Sequence, residues 1–120
     1  MTSKYFKRSE FKCKCGKCDF DAVDTDLLNA LEDVREHFDS PLTINSACRC
    51  ADHNESIGGA VHSQHVYGKA ADIVVRNVPP DDVHAYLDKK YGQTNGLGAY
   101  DDFTHFDVRT DKARWDKRHV

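Results

Sequence analysis

An imidazole and a carboxylate seven residues apart constrain this chain more than any other feature. They are His65 and Asp72, in Ser63-Gln64-His65-Val66-Tyr67-Gly68-Lys69-Ala70-Ala71-Asp72. A Gly and two small Ala residues separate them, and Ile73-Val74-Val75 follows with the apolar, β-branched character of a strand. The segment predicts a sharp turn feeding a buried strand, with the two side chains brought toward one point. His105-Phe106-Asp107 offers further donors, since on a strand His105 and Asp107 share a face while Phe106 points into the core. Three N/O donors plus one open position describe a catalytic zinc better than a structural one. Spacing alone leaves open whether His105 or Asp107 completes the set. Asp101 and Asp102 fall in a turn just ahead, where a general base would overhang the metal.

The chain has 120 residues, so one domain covering 1–120 is expected, long enough to bury a core without disulfides. Seventeen basic against twenty acidic residues give a net charge of -3, with no basic stripe for nucleic acid. No run of 18 apolar residues occurs, so no membrane insertion is expected. Met1 to Arg8 carries charge with no apolar stretch behind it, so no export signal is expected and synthesis is placed in the cytoplasm. A monomer is expected.

Periodicity predicts an α+β fold: a small, mainly antiparallel sheet with two to three helices packed on one side. Residues 1–22 read as an irregular, Cys-rich N-terminal segment packed on the domain. Leu27, Leu28, Leu31, Val34 and Phe38 form one helical stripe, with Asp24 or Thr25 as N-cap and Asp39-Ser40-Pro41 as the stop. Leu42–Ser46 and Ala70–Val75 read as strands. Ala51–Ile57 reads as a short helix ended by Gly58-Gly59, and residues 60–69 as a loop. Pro79-Pro80 opens a helix with Val83, Tyr86, Leu87 and Tyr91 on one face. Gly96–Tyr100 and Thr104–Val108 form a hairpin around Asp101-Asp102.

Five cysteines stand apart from this pattern. Cys13, Cys15 and Cys18 are crowded together, and Cys48 and Cys50 flank Arg49. Close-spaced thiolates suit a second, structural zinc. Buried thiols, or disulfides formed outside the cell, suit the same residues, and no second Cys-x-x-Cys decides between them.

Taken in order, Ser46-x-x-Arg49, Asn54, Gly58-Gly59-Ala60, Ser63-Gln64-His65, Gly68-Lys69-Ala70-Ala71-Asp72 and His105-x-Asp107-Val108 resemble the zinc D-Ala-D-Ala carboxypeptidase family. That family belongs to a group of peptidoglycan metallopeptidases with lysostaphin and the hedgehog domain. The resemblance spans roughly residues 5 to 115. It implies that His65, Asp72 and His105 are the zinc ligands. It implies that Arg49, sixteen residues before His65, binds substrate and steadies the developing oxyanion, with Ser63 and Gln64 beside it in substrate binding. Asp102, three residues before His105, matches the general base of phage endolysin members. Many short relatives lack an acid there, so Asp101 and Asp107 stay as alternative bases, and Asp107 also as an alternative ligand.

The resemblance implies a zinc-dependent hydrolase of peptidoglycan stem peptides, either a D,D-carboxypeptidase or an endolysin-like endopeptidase. Such an enzyme would reach the wall after lysis or as part of a phage particle. The alternative is a non-catalytic, zinc-stabilised binding or structural domain of the same fold, such as a virion component. Blander readings apply elsewhere. His37, His53, His84 and His119 read as solvated, His62 as solvated or supporting, and Trp115 as packing the C-terminal segment onto the domain.

Overall fold

The computed structural model describes residues 4–14, 23–47, 49, 54, 65 and 68–118. Its first helix, α1 (Thr25–Phe38), begins where the sequence places it. Asp24 is the N-cap, and its carboxylate accepts a hydrogen bond from the Asp26 amide at 2.8 Å. The helix ends at Asp39, which turns left-handed at φ 48°. Strand β1 (Leu42–Ser46) follows, then β2 (Ala70–Val75), helix α2 (Pro80–Lys90), and strands β3 (Gly96–Ala99), β4 (Thr104–Asp107) and β5 (Ala113–Asp116). Pro80 stands at the start of α2, where its missing N–H costs nothing. The expected helix over 51–57 and loop over 60–69 lie largely outside the described residues.

The five strands form one sheet in the order β1-β2-β4-β3-β5. β1–β2, β2–β4 and β3–β4 pair antiparallel, and β5 joins β3 in parallel. One face of the sheet is apolar. Leu42, Ile44, Ala71, Ile73, Val75, Leu97 and Phe106 alternate onto it and pack with Leu27, Leu31 and Val34 of α1 and Val83 and Leu87 of α2. Phe6 and Phe11 close this core from the N-terminal segment, where a single 3-10 turn (Arg8–Phe11) is the regular structure described. Tyr86 and Lys90 of α2 both reach Asp33 of α1, at 2.8 and 2.7 Å, and so link the two helices.

The opposite face carries chemistry. Strand register aligns Ser46 with Asp72, Asp72 with His105, His105 with Gly98, and Gly98 with Trp115. One row thus crosses all five strands. Ser46 reaches it through a register shift between Ile44 and Ser46, which lets Ile44 keep to the core while Ser46 faces Asp72.

Strand β5 was not expected from sequence. Its residues, Ala113-Arg114-Trp115-Asp116, show no apolar alternation, because Arg114 and Asp116 occupy the positions that face the helices' side. Arg114 is held there by the carbonyls of Tyr91, Thr94 and Asn95 after α2 and by Asp88.

Phe106 joins the core from the same strand as His105 and is 1 % exposed. Phe106→Ala is expected to cost about 3–5 kcal/mol, read as a lowered midpoint in urea unfolding. A loss below about 1 kcal/mol would contradict the packing described.

Candidate metal centre

Three side chains meet on the polar face of the sheet. One donor atom from each of His65, Asp72 and His105 lies within 4.8 Å of the others, and all three residues are buried. Asp72 Oδ1 is 3.3 Å from His65 Nε2 and 2.9 Å from His105 Nδ1. The two rings meet edge-on, their centroids 5.1 Å apart. Asp72 and His105 come together because β2 and β4 pair them directly across the ladder.

Backbone bonds fix His65. Its carbonyl accepts from the Arg49 amide at 3.0 Å and from the Gly68 amide at 3.2 Å. Gly68 then turns left-handed at φ 70°, a conformation that glycine adopts without a Cβ clash, and the chain enters β2. The Gly in the His65–Asp72 interval is therefore the hinge that the sequence implied.

The second nitrogen of each ring is also occupied. His65 Nδ1 donates to the Ala47 carbonyl at 2.6 Å, and His105 Nε2 donates to Asp107 Oδ2 at 2.8 Å. The nitrogens facing Asp72 are then His65 Nε2 and His105 Nδ1: carrying a proton they donate to its carboxylate, and without one they offer the lone pairs that a metal takes. This is the arrangement by which metal-ligating histidines are oriented. Two imidazoles and a carboxylate suit zinc, so the donor set and its supports fit that ion.

Asp107 stands on the far nitrogen of His105 from the cluster. It is fully buried, and every oxygen is engaged. Arg109 holds it through Nε at 2.8 Å and Nη2 at 2.7 Å, and the Gly96 amide donates to it at 3.1 Å. Asp107, the alternative ligand or base of the sequence pattern, pairs in this structure with His105 and Arg109. Sequence spacing missed this use of the residue; the Arg two places after it was the available signal.

Arg49 approaches Asp72 from the other side. Its Nη2 lies 3.3 Å from Asp72 Oδ2, Nε donates to Ser46 Oγ at 3.1 Å, and Nη1 to Asn54 Oδ1 at 3.3 Å. Burial lowers the Arg49 pKa and Asp72 opposes that, so the guanidinium stays cationic. Burial pushes the Asp72 carboxyl up, but hydrogen bonds from His105 and His65 outweigh it and hold the group well below the usual carboxylate range. Asp107 is held low in the same way, by His105 and Arg109 against its burial. Burial pulls His105 down, and its bonds to Asp107 and Asp72 more than reverse this, leaving the imidazole raised.

The remaining sequence candidates are placed as follows. Asp101 and Asp102 are exposed in the turn between β3 and β4, three residues or so ahead of His105. Cys13 is buried at 3 % exposure. Ser63, Gln64, Cys15, Cys18, Cys48 and Cys50 lie outside the described residues, as do His53, His62 and His119. His37 stacks on Tyr86, with 3.8 Å between centroids.

Two imidazoles and a carboxylate on the polar face of a small α+β sheet make a candidate metal-binding group. Residues 4–107 match the family model for peptidase M15. The chain belongs to this family, the zinc D-Ala-D-Ala carboxypeptidases, and is a metallopeptidase by membership. No curated protein matches it in a sequence comparison.

Depressed carboxyls add stability that is complete above their unfolded pKa, about 4, and is lost as pH falls below it. Thermal melts from pH 7 down to pH 3 are expected to show that loss, and Asp107→Asn to flatten it. Melting temperatures independent of pH over that range would contradict the network. Gly96 supports the same carboxylate, because a Cβ there would lie 2.3 Å from Asp107 Oδ2. Gly96→Ala is therefore expected to lower the melting temperature, and an unchanged melt would show that Asp107 moves aside freely.

Proposed function

We propose that this chain hydrolyses peptide bonds in the stem peptides of bacterial peptidoglycan, with one zinc ion held by His65, Asp72 and His105. The observation that carries the reading is the buried cluster of these three residues, with each imidazole pinned at its other nitrogen. Membership of the peptidase M15 family supports the substrate class.

Zinc in that position supplies Lewis acidity toward a carbonyl oxygen and toward water. The chain's own residues do the rest. Ala47 and Asp107 keep the two rings aimed, so ligand geometry is set before any substrate arrives. Asp102 stands exposed in the turn before β4, where its carboxylate accepts the proton of the attacking water and returns it to the leaving amine. Arg49 is fixed by Ser46, Asn54 and Asp72 beside the cluster, and its guanidinium counters the charge that develops on the scissile oxygen. Ser63 and Gln64, immediately before His65 in the sequence, contact substrate. Among the described residues no helix is long and apolar enough to cross a membrane. The site of action is the cell wall, reached on lysis or from a phage particle.

Mass spectrometry of purified muropeptides after incubation tests the reading. A product shortened by the terminal D-Ala marks a carboxypeptidase, and a severed stem or cross-link marks an endopeptidase. Either product should vanish with a chelator and return with zinc. Asp102→Ala is expected to lower kcat by about 10²–10⁴-fold, and Arg49→Ala by about 10²–10³-fold. Intact muropeptides in the presence of zinc would overturn the proposal, and full activity in both variants would overturn the two roles.

A further inference from the structure

Strand β5 lies beyond residue 107, where the family match ends, yet it is built into the metal face. Both ends of the strand are fastened to α2. Arg114 binds the carbonyls that follow the helix, and Arg118 reaches Asp81 in its first turn at 2.8 Å. Between these anchors the parallel register sets Trp115 opposite Gly98, which itself faces His105.

The indole fills the space that Gly98 leaves. A Cβ on Gly98 would sit 2.4 Å from Trp115 Nε1 and 2.6 Å from Cε2, so only glycine lets the ring lie across β3. The ring then reaches His105, with 5.0 Å between centroids and 47° between planes. Its Nε1 donates to Tyr100 Oη at 2.9 Å, and Tyr100 stacks on Phe103 at 4.3 Å. The Arg109 guanidinium, which grips Asp107, also lies 5.4 Å from the centre of the indole.

We propose that Trp115 is a positioning residue of the metal centre: its indole fixes the plane of the His105 ring and shields that ring from water. This rests on the metal-site reading above. The torsion that rotates a histidine ring is broad and weakly preferred. Asp72 at Nδ1 and Asp107 at Nε2 hold His105 at its edge, in the plane of the ring, and neither covers its faces. A ring packed against the imidazole adds the restraint on tilting out of that plane. Arg109 ties the two supports together, since it holds Asp107 at one end of His105 and covers Trp115 beside it.

Zinc affinity, measured by competition with a chromogenic chelator, and the visible spectrum of the cobalt-loaded protein test this without an activity assay. Trp115→Ala is expected to weaken zinc binding by about 10–100-fold and to change the cobalt spectrum. Trp115→Phe, which keeps an aromatic ring, is expected to restore both. An alanine variant with the parent's affinity and spectrum, but a lower melting temperature, would show that Trp115 merely anchors β5 and would overturn the proposal. Failure of the unsubstituted chain to bind zinc would overturn this inference and the proposed function together. Should the alanine variant not fold, the unsubstituted protein still answers. Trp115 is the sole tryptophan of the chain, so its emission must change as zinc binds, and constant emission on zinc binding overturns the proposal.

Discussion

One buried carboxylate holds the polar face together. Asp72 turns Oδ1 to His65 and His105 and Oδ2 to Arg49. At 8 % exposure its burial alone favours the neutral acid, and the hydrogen bonds from the two imidazoles keep it ionised. The dependence runs both ways. Without Asp72, two imidazoles and a guanidinium would share a buried space with no anion between them. A buried charge stripped of its partner is strongly destabilising, whereas a complete network is tolerated.

Where Asp72 stands is a matter of sheet register. It occupies β2, between β1 and β4, so its neighbours across the ladder are Ser46 and His105. A slip of one residue would turn Asp72 into the apolar core and Ile73 onto the polar face. The core therefore does more than stabilise. Ile73, Val75, Leu97 and Phe106 pack under the helices and lock the register that aligns the polar row. Gly96 and Gly98 complete the arrangement by absence of side chain, one making room for the Asp107 carboxylate and the other for the Trp115 ring. A site assembled this way is organised before substrate binds, which is what electrostatic catalysis requires.

Much of this was legible in the chain, and for identifiable reasons. The helix at 25–38 announces itself by a regular apolar stripe with Asp24 ahead of it. Strand β2 does so by its run of β-branched residues, and the β3–β4 hairpin by its paired aspartates. His65 and Asp72 stood out by the Gly and two Ala residues between them, and His105 through the family resemblance, since spacing left it level with Asp107. The rest was hidden for physical reasons. Strand β5 shows no alternation, because its helix-side positions carry Arg114 and Asp116, held by ion pairs and carbonyls rather than by apolar contact. The two glycines of β3 carry no side chain that a pattern could show, and their use is to admit side chains from β4 and β5. Asp107 was legible as a functional acid, but its partner choice depends on Arg109 folding back over two residues, which spacing does not encode. Asn54 appeared in the sequence pattern without a role and emerges as the brace for one arm of Arg49.

The central claim is that His65, Asp72 and His105, rather than the cysteines, form the zinc site. X-ray absorption at the zinc edge, on the protein loaded with one equivalent of zinc, tests it most directly. The account predicts a shell of nitrogen and oxygen at about 2.0–2.2 Å with the multiple-scattering signature of imidazole. A shell dominated by sulfur at about 2.3 Å would contradict it.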